Sequence, residues 1–105
     1  MVWKITFRIA SRNDLRRIVD YIDERDGAMA AEACVSQLLQ RATGLIHAPY
    51  AGRPMPERKG ARILVEGSYL IIYRAHSQLR EIRILRFWHG ARRNRPSADL
   101  VAHPA

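Results

Sequence analysis

The sequence predicts an α+β domain in which an N-terminal strand is followed by an antiparallel helical hairpin and then by a three-stranded antiparallel meander, all strands forming one sheet. Three observations predict it. Apolar and polar residues alternate near the N-terminus, apolar residues then recur every three or four positions between residues 12 and 46, and three apolar segments separated by turn residues follow residue 60.

Trp3, Ile5, Phe7 and Ile9 are apolar and Lys4, Thr6 and Arg8 between them are polar, which is the period of a half-buried strand over residues 2–9. Ser11 is the expected N-cap of the first helix, with Asp14 three residues on. Leu15, Ile18, Val19 and Ile22 then follow at helical spacing, giving a helix over residues 12–24. Arg25-Asp26-Gly27 breaks the pattern, after which Ala31, Val35, Leu38, Ala42 and Leu45 share one face of a second helix over residues 28–46. So short a connection requires antiparallel neighbours, and the alanines allow close approach.

Between His47 and Gly60 the residues Pro49, Gly52, Pro54, Pro56 and Gly60 predict a surface loop without regular structure. Residues 62–66 are a strand, Gly67-Ser68 a tight hairpin turn, and residues 69–75 a nearly continuous apolar strand expected at the centre of the sheet, buried on both faces. His76 to Leu79 turns the chain back into a last strand over residues 81–88. The domain is expected to span residues 1–96, with residues 97–105 a frayed tail.

With 105 residues the chain is expected to form one domain that buries roughly 65% of its unfolded surface. The single Cys34 excludes a disulfide framework and is expected in the core beside the stripe of the second helix. His47, His76, His89 and His103 are scattered, so no metal and no cofactor are expected. The first residues lack a signal-peptide core and no run of about 18 apolar residues occurs, so a cytoplasmic protein without membrane contact is expected. A net charge of +8 implies an acidic partner, which is nucleic acid, an acidic protein surface, or both in turn.

The chemistry-bearing residues gather in two basic groups, Arg53, Arg58, Lys59 and Arg62 in the middle of the chain and Arg92, Arg93 and Arg95 after His89, which the meander is expected to bring to one face. Tyr69 and Tyr73 are expected to pack on the helices with their hydroxyls at the rim. Arg86 falls by parity with Ile82, Ile84 and Trp88 on an apolar face. Either a bulge re-aims it or it pairs with a carboxylate such as Asp20 or Glu32, because an unpaired buried guanidinium is too costly.

Asp14-Leu15 with Ile18 and Tyr21-Ile22, Pro49, Gly52-Arg53-Pro54, Arg62, Tyr69-Leu70-Ile71-Ile72-Tyr73-Arg74 and His89-Gly90-Ala91-Arg92-Arg93, in that order, resemble the RelE/ParE superfamily of bacterial toxins, most nearly its ParE branch, over residues 3–95. The resemblance implies a RelE/ParE-like fold and the toxin of a type II toxin-antitoxin pair, of the kind that stabilises plasmids. It also implies a cognate antitoxin with an acidic C-terminal segment, in a heterotetramer or larger complex. RelE-like members cleave messenger RNA on the ribosome, whereas ParE-like members poison DNA gyrase and are not enzymes. The RelE pattern has an arginine immediately after the tyrosine of the central strand, where this chain has Leu70, and a tyrosine beyond the basic cluster, where it has Ser97, Ala98 and Asp99.

A gyrase inhibitor without catalytic residues is therefore the expectation. The alternatives are a ribosome-dependent endoribonuclease using His89, Lys59, Arg62 and Arg92, or a degenerate toxin retaining only antitoxin binding. The antitoxin is expected on Leu15, Ile18 and Ile22 of the hairpin and on Leu70, Ile72 and Arg74 of the sheet, unless Leu70 and Ile72 pack against the chain's own C-terminal segment. The target is expected on Arg53, Arg58, Arg86, His89, Arg92, Arg93 and Arg95.

Overall fold

A computed structural model describes residues 2–90. Strand β1 (Lys4–Phe7) leads through Arg8 into α1 (Ile9–Asp26), and Gly27 alone separates α1 from α2 (Ala28–Thr43), which ends in a 3-10 turn over Gly44–Ile46. Strands β2 (Arg53–Pro54), β3 (Ala61–Glu66), β4 (Tyr69–His76) and β5 (Glu81–His89) complete the chain. They form one five-stranded sheet in the order β1-β5-β4-β3-β2. This is the expected α+β fold with β4 at its centre, and the expected meander is β3-β4-β5.

Two features of the sheet differ from the sequence reading. The segment 47–60 is not wholly irregular, since Arg53 and Pro54 pair with Ile63 and Arg62 as a two-residue edge strand. Pro54 is compatible with an edge because its missing N–H is not needed by a further neighbour. The second feature is β1, which is shorter than expected and pairs in parallel with β5, in the register Lys4↔Glu81 to Phe7↔Ile84.

The hairpin turns on Gly27, whose φ of +95° and ψ of 169° lie outside the regions open to L side chains. Its N–H closes α1 by donating to Asp23 O at 3.0 Å. At the other end Ser11 is not the N-cap. The chain leaves β1 as Arg8 N–H donates to Ile84 O at 2.9 Å, and extended Arg8 itself precedes the helix. Ser11 therefore lies inside the first turn and its hydroxyl donates back to Arg8 O at 2.7 Å.

The hairpin covers one face of the sheet. Ile18, Leu38, Leu45, Ile71, Tyr73 and Phe87 are central to that core, and Cys34 packs at its margin, where burial pushes the thiol above its ordinary pKa. A second cluster, Met55, Ala61, Ile63, Leu70, Ile72 and Leu85, lies on the opposite face. Ile71, Ile72 and Tyr73 of β4 are wholly buried, as a strand covered on both faces must be. Among the described residues no helix is long and apolar enough to cross a membrane, and no group of three His, Cys, Asp or Glu side chains is placed to hold a metal.

Candidate functional site

The pairing of β1 stops at Ile84, so the outer edge of β5 is open beyond that point. Helix α1 begins two residues after β1 and delivers Asp14 to this edge, where the carboxylate accepts Phe87 N–H at 3.0 Å in place of a strand neighbour. The register shifts at Ile72/Tyr73, with Ile72 opposite Arg86 and Tyr73 opposite Ile84, leaving Leu85 as an extra residue in β5. Beside this bulge Arg86 forms a bidentate pair with Asp14, Nε donating to Oδ2 at 2.7 Å and Nη2 to Oδ1 at 2.9 Å. Both side chains are buried, and the guanidinium also lies 5.2 Å from the Trp88 ring. Both devices expected for Arg86 are thus present together, but its partner is Asp14 rather than Asp20 or Glu32.

Outside the ion pair a cavity of about 300 Å³ opens between α1 and the ends of β4 and β5, lined by Asp14, Arg17, Ile18, Tyr21, Tyr69, Phe87 and His89. Tyr69 and His89 are register partners, and their rings meet edge to face at 5.0 Å. Tyr21 is half exposed at the mouth and accepts a hydrogen bond from Arg25 Nη1 at 2.8 Å. The second opening, of about 450 Å³, is a groove along the outer side of the hairpin, with Val19, Ala31, Val35 and Leu39 as its apolar residues and Asp23 and Glu32 beside them.

Further along β4 the segment 49–52 is tied to the sheet by Tyr73. Its hydroxyl accepts Gly52 N–H and donates to Pro49 O, both at 2.9 Å, and burial pushes the phenol above its ordinary pKa. Arg62 reinforces the tie by donating to Gly52 O at 2.7 Å and lying 5.0 Å from the Tyr50 ring. Tyr73→Phe is expected to lower stability by about 1–3 kcal/mol, because a buried N–H and a carbonyl lose one partner. Chemical denaturation of the two proteins checks this.

The sequence signature described as "ParE toxin of type II toxin-antitoxin system, parDE" matches residues 5–94. The chain belongs to the ParE toxin family. No functionally curated protein matches it in sequence. Its fold is similar to a chain of the chromosomal ParDE toxin-antitoxin system from P. aeruginosa, at 22% identity and a TM-score of 0.73, covering 84% of this chain and 96% of that one. It is also similar to a chain of the RelBE2 toxin-antitoxin complex from Mycobacterium tuberculosis, at 23% identity and a TM-score of 0.60, covering 85% of this chain and 99% of that one. A mutant of E. coli toxin RelE in the free state gives 13% identity and a TM-score of 0.62, covering 100% and 95%.

In this ParE-family chain several residues expected to meet a partner are withdrawn from the surface. Arg86 is locked to Asp14 and does not offer a charge to a target. Leu70 and Ile72 are buried in the cluster formed with Met55, Ala61, Ile63 and Leu85, so the apolar sheet face they were expected to present is already covered by this chain's own residues. Leu15, Ile18 and Ile22 point the stripe of α1 at the sheet core, because the sheet is the larger apolar surface available to it. Beside the cavity at Arg17, Ile18 and Tyr21, the ParE-type hairpin offers the outer groove of Val19, Ala31, Val35 and Leu39.

Among the described basic residues of this ParE chain, those of the first group divide between the two faces of the sheet. Cross-strand pairing puts Arg62 beside Tyr73 on the helix side and Arg53 beside Ile63 on the other. Lys59 and Arg58 lie in the connection between β2 and β3, and Arg92, Arg93 and Arg95 lie outside the described residues. Sequence reasoning missed Asp14 as a structural residue. The signal was present, since Asp14 stands four residues before Ile18 on the stripe that faces the core, and an acid there requires a buried cation.

Proposed function

We propose that this ParE-type toxin acts by binding DNA gyrase, not by cleaving RNA, and that a cognate antitoxin neutralises it through the outer groove of the hairpin. The observation that supports binding over cleavage is the distance between the candidate nuclease groups. Transesterification of a phosphodiester needs an acid, a base and a cation within hydrogen-bond reach of one phosphate. His89 stands opposite Tyr69 and Arg62 opposite Tyr73, on the two flanking strands of β4. Four residues of strand separate them, roughly 13 Å along β4 at ~3.3 Å per residue. Arg62 is moreover engaged with Gly52 O. Purified toxin should inhibit supercoiling by gyrase and accumulate cleaved plasmid. Unchanged supercoiling at saturating toxin would sink the reading, and transcript cleavage in a translation extract, lost in His89→Ala, would favour the ribonuclease.

The groove fits an amphipathic helix, whose apolar residues at three- and four-residue spacing meet Val19, Ala31, Val35 and Leu39. The net charge of +8 speeds encounter with an acidic antitoxin segment. Val35→Asp places an unpaired carboxylate in that apolar strip. It is expected to weaken antitoxin binding about 10- to 100-fold by calorimetry while leaving gyrase inhibition by the free toxin intact. The complex is proposed to be a heterotetramer or larger in the cytoplasm, which mass measurement of the purified pair checks.

A further inference from the structure

The face of the sheet away from the helices carries Arg8, Arg58 and Arg74, with which no carboxylate pairs among the described residues. Arg8, the extended residue that follows β1, continues its alternation and so is set opposite in direction to Phe7, which packs on the helix-side core. Arg74 of β4 shares its face with Ile72, and the register sets it directly opposite Arg83 of β5. Arg58 joins them from the connection between β2 and β3, whose Met55 is buried in the same face.

Arg58 is the informative residue. Its Nη1 is buried without a hydrogen-bond partner. Its guanidinium is held below its ordinary pKa first by burial, then by Arg74, then by Arg8, and no carboxylate contributes. Arg74 is held close by Gly60, where a β-carbon would lie 2.6 Å from Arg74 Nη1. Arg83 differs, because its Nε donates to Glu81 at 2.6 Å. The Arg58 guanidinium thus sits near Arg74, whose Nη1 lies against Gly60 two residues along the chain, and feels the charges of both Arg74 and Arg8, while its desolvated Nη1 has no acceptor among the described residues. Such an arrangement is relieved by an anion that bridges the three.

The guanidinium fork matches the oxygens of a phosphodiester. Sites for single-stranded nucleic acid add exposed aromatic platforms on which bases stack. The exposed aromatic side chains of Phe, Tyr or Trp type among the described residues are Tyr21 and Tyr50. Tyr21 lines the cavity at α1, and Tyr50 is engaged with Trp3 and Arg62. Neither accompanies the arginines. We propose that Arg8, Arg58 and Arg74 form a phosphate-backbone site for duplex DNA, a function of the free toxin that does not depend on the gyrase reading.

The test is fluorescence anisotropy of the full chain with a labelled DNA duplex of about 20 base pairs over a salt series. Arg8→Gln, Arg58→Gln and Arg74→Gln are each expected to reduce the steepness of log K against log salt by about 0.9, the value for one lost phosphate contact. Arg58→Lys should retain most of it. Arg16→Gln, an exposed residue of α1, is the control and should leave the slope unchanged. Equal losses in Arg16→Gln and the three cluster variants would overturn the proposal, as would the absence of duplex binding at low salt. Tighter binding to single-stranded RNA of the same length, with the same arginine dependence, would overturn the duplex assignment. Thermal unfolding of each variant separates misfolding from lost contact, and exposed Arg8 keeps the test decisive if Arg58→Gln does not fold. Gyrase is absent from the assay, so failure here leaves the inhibition experiment to be decided separately.

Discussion

Asp14→Ala is expected to destabilise the toxin by about 3–5 kcal/mol, a large share of the roughly 5–15 kcal/mol by which domains are ordinarily stable. The substitution leaves the Arg86 guanidinium buried with its two charge-assisted bonds gone, and it also removes the acceptor of Phe87 N–H. The pair itself is not a large net source of stability, since taking both charges out of water offsets most of their attraction. Asp14→Leu with Arg86→Met should therefore recover most of the loss. It should not recover all of it, because the N–H at the open edge of β5 still lacks a partner, worth about 1–3 kcal/mol. Urea denaturation of the wild type, both single variants and the double variant checks the prediction, and additive losses in the cycle would contradict it.

Gly52→Ala is expected to cost about 2–4 kcal/mol, from overpacking together with a weakened hydrogen bond. A β-carbon at this position would stand 2.7 Å from Ile63 O and 2.8 Å from Tyr73 Cε1. Neither neighbour gives easily. The carbonyl belongs to β3, and the Tyr73 ring is fully buried with its hydroxyl fixed at both Gly52 and Pro49. Gly44→Ala supplies the contrast, because nothing lies within 4 Å of a β-carbon there and the backbone is helical with φ −60°. It is expected to raise stability by about 0.4–1 kcal/mol through the unfolded chain. Melting temperatures of the two variants should move in opposite directions.

Much of the fold was legible because period and turn chemistry act locally. Alternation marked β1, helical spacing marked α1 and α2, Gly67-Ser68 marked the β3–β4 turn, and the run from Tyr69 marked the centre of the sheet. The parallel pairing of β1 with β5 was not legible, because periodicity says that a strand has two faces and nothing about which strand lies beside it. Strand β2 is too short to carry a pattern. The partner of Arg86 depended on the bulge at Leu85 and on where β1 stops, and both are properties of the assembled sheet.

The candidate surfaces were less legible for the same reason. Leu15, Ile18 and Ile22 were recognisable as an apolar stripe, yet a stripe does not state whether its occupant is the sheet or a partner. Arg58 and Arg74 are far apart in sequence and were assigned to different partners. Only the fold sets them close enough for the charge of one to bear on the other.

The β1–β5 pairing also sets an order of events during synthesis. Phe7 and its register partner Ile84 stand roughly 77 positions apart, and at roughly 5–20 residues per second the ribosome needs roughly 4–15 s to make that interval. For those seconds the first strand has left the tunnel without a partner, while the α1–α2 hairpin, whose contacts are local, has everything it needs to form. The nascent toxin therefore presents its hairpin early and closes its sheet last, with its earliest strand waiting for its latest.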